Sequence, residues 1–259
     1  MGKQAIIMPS FAVATGAVGY FLRQMERRFV FDSFTGLPER GAAITYALIW
    51  SSMAFLLISA LFAYRVKIGF YSLPGFENAF RTDPLAYPMS FVLIGVLWLG
   101  ATVRYYFNLS AQNALAGPQY AFLALCALSA ISLALFALEV YQDPRKKTKQ
   151  ALSVVPAMFM CFWLVYYYRQ NASNPILLSY AYHCLALIAS ALAFYFLAGF
   201  LFGRAAPSKT ILAFLAAIYF SLVTLADTQN NSIRLIFVLI IATNFIYASM
   251  LISNLQKND

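Results

Sequence analysis

Eight long apolar stretches, separated by short polar segments, constrain this chain more than any motif in it. They cover residues 5–22, 42–64, 86–107, 117–140, 151–169, 175–202, 209–227 and 232–254. A bilayer core about 30 Å thick is crossed by about 20 apolar residues in a helix. In lipid every backbone N–H and C=O must be satisfied internally, so a span is either a helix or part of a closed barrel. Alternating segments of about ten residues would mark a barrel, and the sequence has none. Composition agrees. The chain has 259 residues, of which 62% are apolar and 10% charged, against about 45–50% and about 25% in a soluble domain. Too few polar groups remain to cover a soluble surface. Soluble, disordered, collagenous and nucleic-acid-binding readings are excluded. The expected fold is an all-α integral membrane bundle of eight transmembrane helices, forming a single domain over residues 1–259.

Charge supplies an orientation. The net charge is +9, and basic loops near span ends hold the cytoplasmic side of a membrane protein. Of the 18 Lys+Arg residues, eleven fall on the side of the two termini, among them Arg65, Lys67, Lys209 and the Arg145–Lys149 segment. The other seven are Arg23, Arg27, Arg28, Arg40, Arg104, Arg169 and Arg234. Both termini are therefore expected in the cytoplasm. The amino terminus has the look of a signal peptide, with Lys3 and small residues at Ala12-Val13-Ala14, but its apolar run continues to Leu22. It reads as an uncleaved first span. The Arg23–Arg28 segment reads either as part of the first connection or as a helical extension of that span.

Two packing signals stand out. Gly199 and Gly203 form a GxxxG pair, and the fourth span carries Ala121, Ala124, Ala127, Ala130, Ala134 and Ala137. Small residues let helices approach closely in lipid, within one chain or between copies. Cys126, Cys161 and Cys184 lie inside apolar stretches with no CxxC or metal spacing and read as small core residues. The single histidine, His183, reads as a satisfied core residue. The sequence contains no nucleophile–base set, metal cluster or phosphate loop. No cofactor is expected, and an enzyme is the least favoured class.

Polar chemistry collects at the ends of the spans on the outward side. The third span closes on Trp98 and Arg104, the fifth on Trp163 and Arg169, and each Arg follows its Trp by six residues. The turns beyond carry Asn108, Gln112 and Asn113, then Gln170, Asn171 and Asn174, then Asn230 and Asn231. Tyr105, Tyr106, Tyr166, Tyr167 and Tyr168 lie just below, as an interfacial belt would. Amides donate and accept, and tyrosine offers both a face and a hydroxyl, so such a lining suits a small polar ligand. Arg104, Asn108, Arg169, Asp227 and Arg234 are the candidate ligand-binding residues, with Asp227 and Arg234 also placed to pair across a tight turn.

Several segments carry a family likeness. These are Tyr168-Arg169-Gln170-Asn171-Ala172-Ser173-Asn174-Pro175, Ala198 to Arg204 with Pro207, Leu225-Ala226-Asp227, and Thr35-Gly36-Leu37-Pro38 with Ala43 to Ala47. Together they resemble a family of uncharacterised bacterial polytopic membrane proteins. The resemblance implies a bacterial cytoplasmic membrane and lends no activity. The expected partners are the lipid bilayer and a small polar ligand; no nucleic acid is expected. The leading function is solute handling or ligand binding at an outward polar vestibule. The alternative is a non-catalytic subunit, scaffold or sensor acting through membrane partners or as a homo-oligomer.

The orientation is testable at residue 148. In a background lacking the native cysteines, Thr148→Cys should resist a membrane-impermeant thiol reagent applied to intact cells and react after lysis. Labelling from outside would invert the topology.

Overall fold

The computed structural model describes residues 2–32, 37–39, 41–71, 76–80, 85–142, 148–227 and 230–257. The sequence signals in Arg145–Lys147 and Thr35-Gly36 lie outside these residues. Nine α-helices occur among those described: α1 (Gly2–Phe29), α2 (Ala43–Gly69), α3 (Phe76–Ala79), α4 (Ala86–Ala111), α5 (Gly117–Gln142), α6 (Thr148–Asn171), α7 (Ala181–Leu201), α8 (Pro207–Thr224) and α9 (Asn231–Ser253). All but the four-residue α3 are long and apolar enough to cross a membrane. The two-residue strands β1 (Phe70–Tyr71) and β2 (Gln256–Lys257) pair antiparallel. The chain is thus a polytopic, all-α membrane protein. Its lipid-facing side chains include Trp50, Leu57, Leu93, Val165 and Tyr195, all exposed.

Helices α4 to α9 pack in sequence order, and α9 closes the circuit against α4. The α1–α2 hairpin lies outside this ring, against α8, and α1 also touches α9. Helix α8 is therefore enclosed on several sides. It is the most buried span, at 72% of its apolar window, against 28% for α1 and for α2. The chain ends divide the bundle into a terminal end, carrying both termini, and a distal end.

The terminal end is stoppered. Helix α3 inserts Phe76 and Phe80, both buried, beneath the ring. Phe76 meets Phe136 of α5 edge-on at 5.0 Å, and Phe80 meets Phe200 of α7 at 5.2 Å and Tyr247 of α9 at 5.7 Å. Edge-to-face aromatic pairs add about 0.5–1.5 kcal/mol each beyond their area. Asn254 donates from Nδ2 to the Ala79 carbonyl at 3.1 Å and fixes the stopper from the carboxyl-terminal side.

Two expected boundaries move, for local reasons. Helix α1 runs on to Phe29 because Arg23 and Glu26, three residues apart on one face, pair and are both buried. The sixth span begins at Ala181 rather than 175. The side chain of Asn174 accepts from the Ile176 amide at 3.0 Å and donates to Ser179 Oγ at 3.0 Å. That holds residues 174–179 in a turn ending in one 3-10 segment, Leu177–Ser179.

The GxxxG pair is not a packing face. Helix α7 has ended by Gly203, which takes a left-handed φ of +70° and has open space where a Cβ would stand. The Arg204 amide donates to the Gly199 carbonyl at 2.8 Å, so the two glycines form a helix-ending turn. Close approach occurs elsewhere. A Cβ on Gly95 of α4 would stand 2.9 Å from both the Ala130 carbonyl oxygen and the Ala134 Cβ of α5. Of the alanine stripe, Ala130 and Ala137 are buried, whereas Ala121 and Ala124 are exposed.

Gly95 and Gly100 make a controlled pair on one helix. Gly95→Ala presses on a backbone oxygen and should cost about 1–3 kcal/mol, read as a lower Tm. Gly100→Ala meets nothing within 4 Å and should leave Tm unchanged or raise it. Equal effects would refute the α4–α5 approach.

Candidate functional site

The distal end is held together by one buried arginine. Arg23 is fully buried near the end of α1. Its Nε donates to Asp227 Oδ1 at 2.8 Å, and its Nη1 donates to Glu26 Oε2 at 2.5 Å. Nη2 donates to the Leu178 carbonyl at 2.9 Å. The guanidinium carbon lies 5.2 Å from the centre of the Tyr182 ring. Glu26 accepts in turn from Thr45 Oγ1 of α2 at 2.7 Å. One guanidinium thereby joins α1, α2, the turn before α7 and the α8–α9 turn. Arginine suits this place because its planar fork supplies several fixed donors at once.

Asp227 is held from one side only. Its Oδ1 also receives Arg27 Nη1 at 3.2 Å, and the same nitrogen donates to the Asp227 carbonyl at 3.1 Å. The Asp227 side chain is 3% exposed, and Arg27 is 39% exposed. Oδ2 is buried without a hydrogen-bond partner among the described residues. Burial pushes the carboxyl above the ordinary carboxylate range, and the guanidiniums of Arg23 and Arg27 pull it back down.

Asp227 forms part of the wall of a cleft of about 290 Å³ that opens at the distal end. Helix α6 contributes Trp163, Tyr166, Tyr167 and Gln170, whose i, i+3, i+4, i+7 spacing puts them on one face. Tyr105 of α4, Phe122 of α5, His183 of α7 and Asn230 with Ile233 of α9 complete it. Aromatic contacts fix these walls. His183 stacks on Tyr167 with ring centres 3.7 Å apart and meets Phe237 edge-on at 5.0 Å. Phe122 meets Trp163 edge-on at 5.4 Å and Tyr105 at 5.7 Å. Asn230 is the N-cap of α9, its side-chain oxygen accepting from the Ser232 amide at 2.8 Å. His183 is 4% exposed, and its Nε2, like Asp227 Oδ2, is buried with no partner among the described residues. It lies in the core as expected, but it is not satisfied there.

The sequence-derived candidates separate. Asp227 lines the cleft. Arg104, Arg169 and Arg234 are exposed and Asn108 is half-buried, and none of the four is among the lining residues. The Asp227 carboxylate is ion-paired with Arg23 and Arg27 rather than with Arg234. Tyr105, Tyr166, Tyr167, Gln170 and Asn230, amides and tyrosines of the expected outward lining, do line it, whereas His183 and Trp163 line it without having been read as site residues. The i, i+3, i+4, i+7 run on α6 was the readable signal for four of them. Among the described residues no group of three or more His, Cys, Asp or Glu is placed to hold a metal. No protein-family profile, curated protein or solved structure matches the chain.

The arginine network predicts a non-additive pattern. Removing one member of a buried charge network typically costs about 3–5 kcal/mol, while replacing the whole network by neutral groups is often far milder. Arg23→Met should therefore lower Tm sharply, and Arg23→Met with Glu26→Gln and Asp227→Asn should recover most of the loss. Additive losses would show that the charges do not act as a unit.

Proposed function

We propose that the distal cleft is the binding site for a compact polar solute. The protein is read as a multi-pass component of a bacterial cytoplasmic membrane, with the cleft facing outward. One observation carries the reading: Asp227 and His183, each with a buried polar atom (Oδ2 and Nε2) that has no partner among the described residues, both line a single cleft. Unpaired buried polar groups cost about 1–3 kcal/mol each, and a ligand that bonds to them recovers that cost. The cleft volume, about 290 Å³, lies at the small end of the range of about 300–1,000 Å³ for ligand sites. The excess of Lys and Arg on the terminal side supports the outward placement. On this reading Arg104, Asn108, Arg169 and Arg234 belong to the approach to the site and not to its wall. Binding is the activity the geometry favours. The stopper at the terminal end and the absence of a broken helix at mid-membrane among the described spans give a transport path no support.

A thermal-shift screen of the detergent-purified protein against cationic, neutral and anionic small solutes tests this. At least one solute should raise Tm in the wild type. It should fail with Ile233→Trp, which fills the cleft. No protective solute, or protection undiminished in the filled variant, would overturn the reading.

A further inference from the structure

We propose, resting on the reading of the distal cleft as a solute site, that its ligand is a protonated amine whose ammonium group is recognised by Asp227, the one acid of the lining.

The first argument is charge. The fully desolvated groups at the distal end are Arg23, Glu26 and Asp227: one cation against two anions. Arg27, the nearest further cation, is 39% exposed, so water screens much of its charge. The buried cluster is left with an excess of negative charge, and Asp227, which carries part of it, lines the cleft. A neutral hydrogen-bond donor would satisfy Oδ2 as a bond but not as a charge. A cation does both. It acts on the carboxyl in the same sense as the two arginines, favouring the ionised form that burial opposes.

The second argument is the lining itself. No lysine or arginine is among the residues that line the cleft, and Asp227 is the only acid. Five aromatic side chains line it: Tyr105, Phe122, Trp163, Tyr166 and Tyr167. Aromatic ring faces carry negative charge density and attract cations. An anionic ligand would meet that density and a carboxylate together, with no compensating cation on the wall. The third argument separates amines from quaternary ammonium groups. The carboxylate is an acceptor, and an acceptor calls for a cation that still has N–H groups to donate.

Benzylamine, benzyl alcohol and benzoate form a matched test set, identical in the ring and different in charge. Dissociation constants should be measured by calorimetry on the intact detergent-purified protein. Benzylamine should bind the wild type more tightly than the alcohol or benzoate, and benzyltrimethylammonium should bind more weakly than benzylamine. Asp227→Asn should weaken benzylamine by at least about tenfold, the loss of one charge-assisted hydrogen bond. Glu26→Gln lies off the cleft wall and keeps a side chain for Thr45. It should weaken benzylamine several-fold and leave benzyl alcohol unchanged, which a purely structural role for Glu26 would not do. If either network variant fails to fold, the wild-type ranking of benzylamine against benzyl alcohol and benzoate, with Ile233→Trp as the control, decides alone. Equal or tighter binding of the alcohol or benzoate, lost in Ile233→Trp, overturns the amine assignment and leaves the solute site standing. Benzylamine binding that is undiminished by Ile233→Trp overturns the amine assignment at this cleft, while the broader solute screen judges the site separately.

Discussion

A buried guanidinium in a membrane protein is costly unless every donor is used, and the distal end of this bundle is arranged around that requirement. Arg23 bonds Glu26 on its own helix, Asp227 more than two hundred residues away, and the carbonyl of Leu178. Those three partners come from three places in the chain. They can be collected only if the α1–α2 hairpin docks against α8 and the turn before α7 lies over it. The ring of α4 to α9 is built from apolar contacts that admit many neighbouring arrangements. The arginine admits one, because a shift of one helical turn would part it from Asp227 and from the Leu178 carbonyl.

The same network sets what the cleft can do. Asp227 is positioned by Oδ1, while Oδ2 is buried without a partner among the described residues. His183 is clamped between Tyr167 and Phe237, so its imidazole is held rather than free to swing. Two lining side chains are thus held in place by the surrounding structure. Preorganisation of that kind lowers the ordering cost of binding.

How much of this the sequence reveals depends on the range of the interaction. The spans are legible because the need to satisfy backbone groups in lipid acts within each segment. Asp227 is legible as an isolated acid among amides. The α6 face was legible in principle, since Trp163, Tyr166, Tyr167 and Gln170 recur at helical spacing, but the tyrosines also satisfy the pattern of an interfacial belt. The partner of Asp227 was not legible: Arg23 is 204 residues away, and the nearer Arg234 satisfies any local rule equally well. The glycine pair at Gly199 and Gly203 matches a packing motif in its letters. Only its backbone conformation shows that it ends a helix.

The two ends of the ring are unlike. One opens as a cleft, and the other is closed by the phenylalanines of α3, which the carboxyl-terminal tail pins through Asn254 and the β1–β2 pairing. The cleft and the stopper lie at opposite ends, with the packed core of the bundle between them. The latch on the closed end joins residues near 80 to residues near 255. Mechanical load on the tail would reach the floor of the ring directly, without passing through the helices that form its walls.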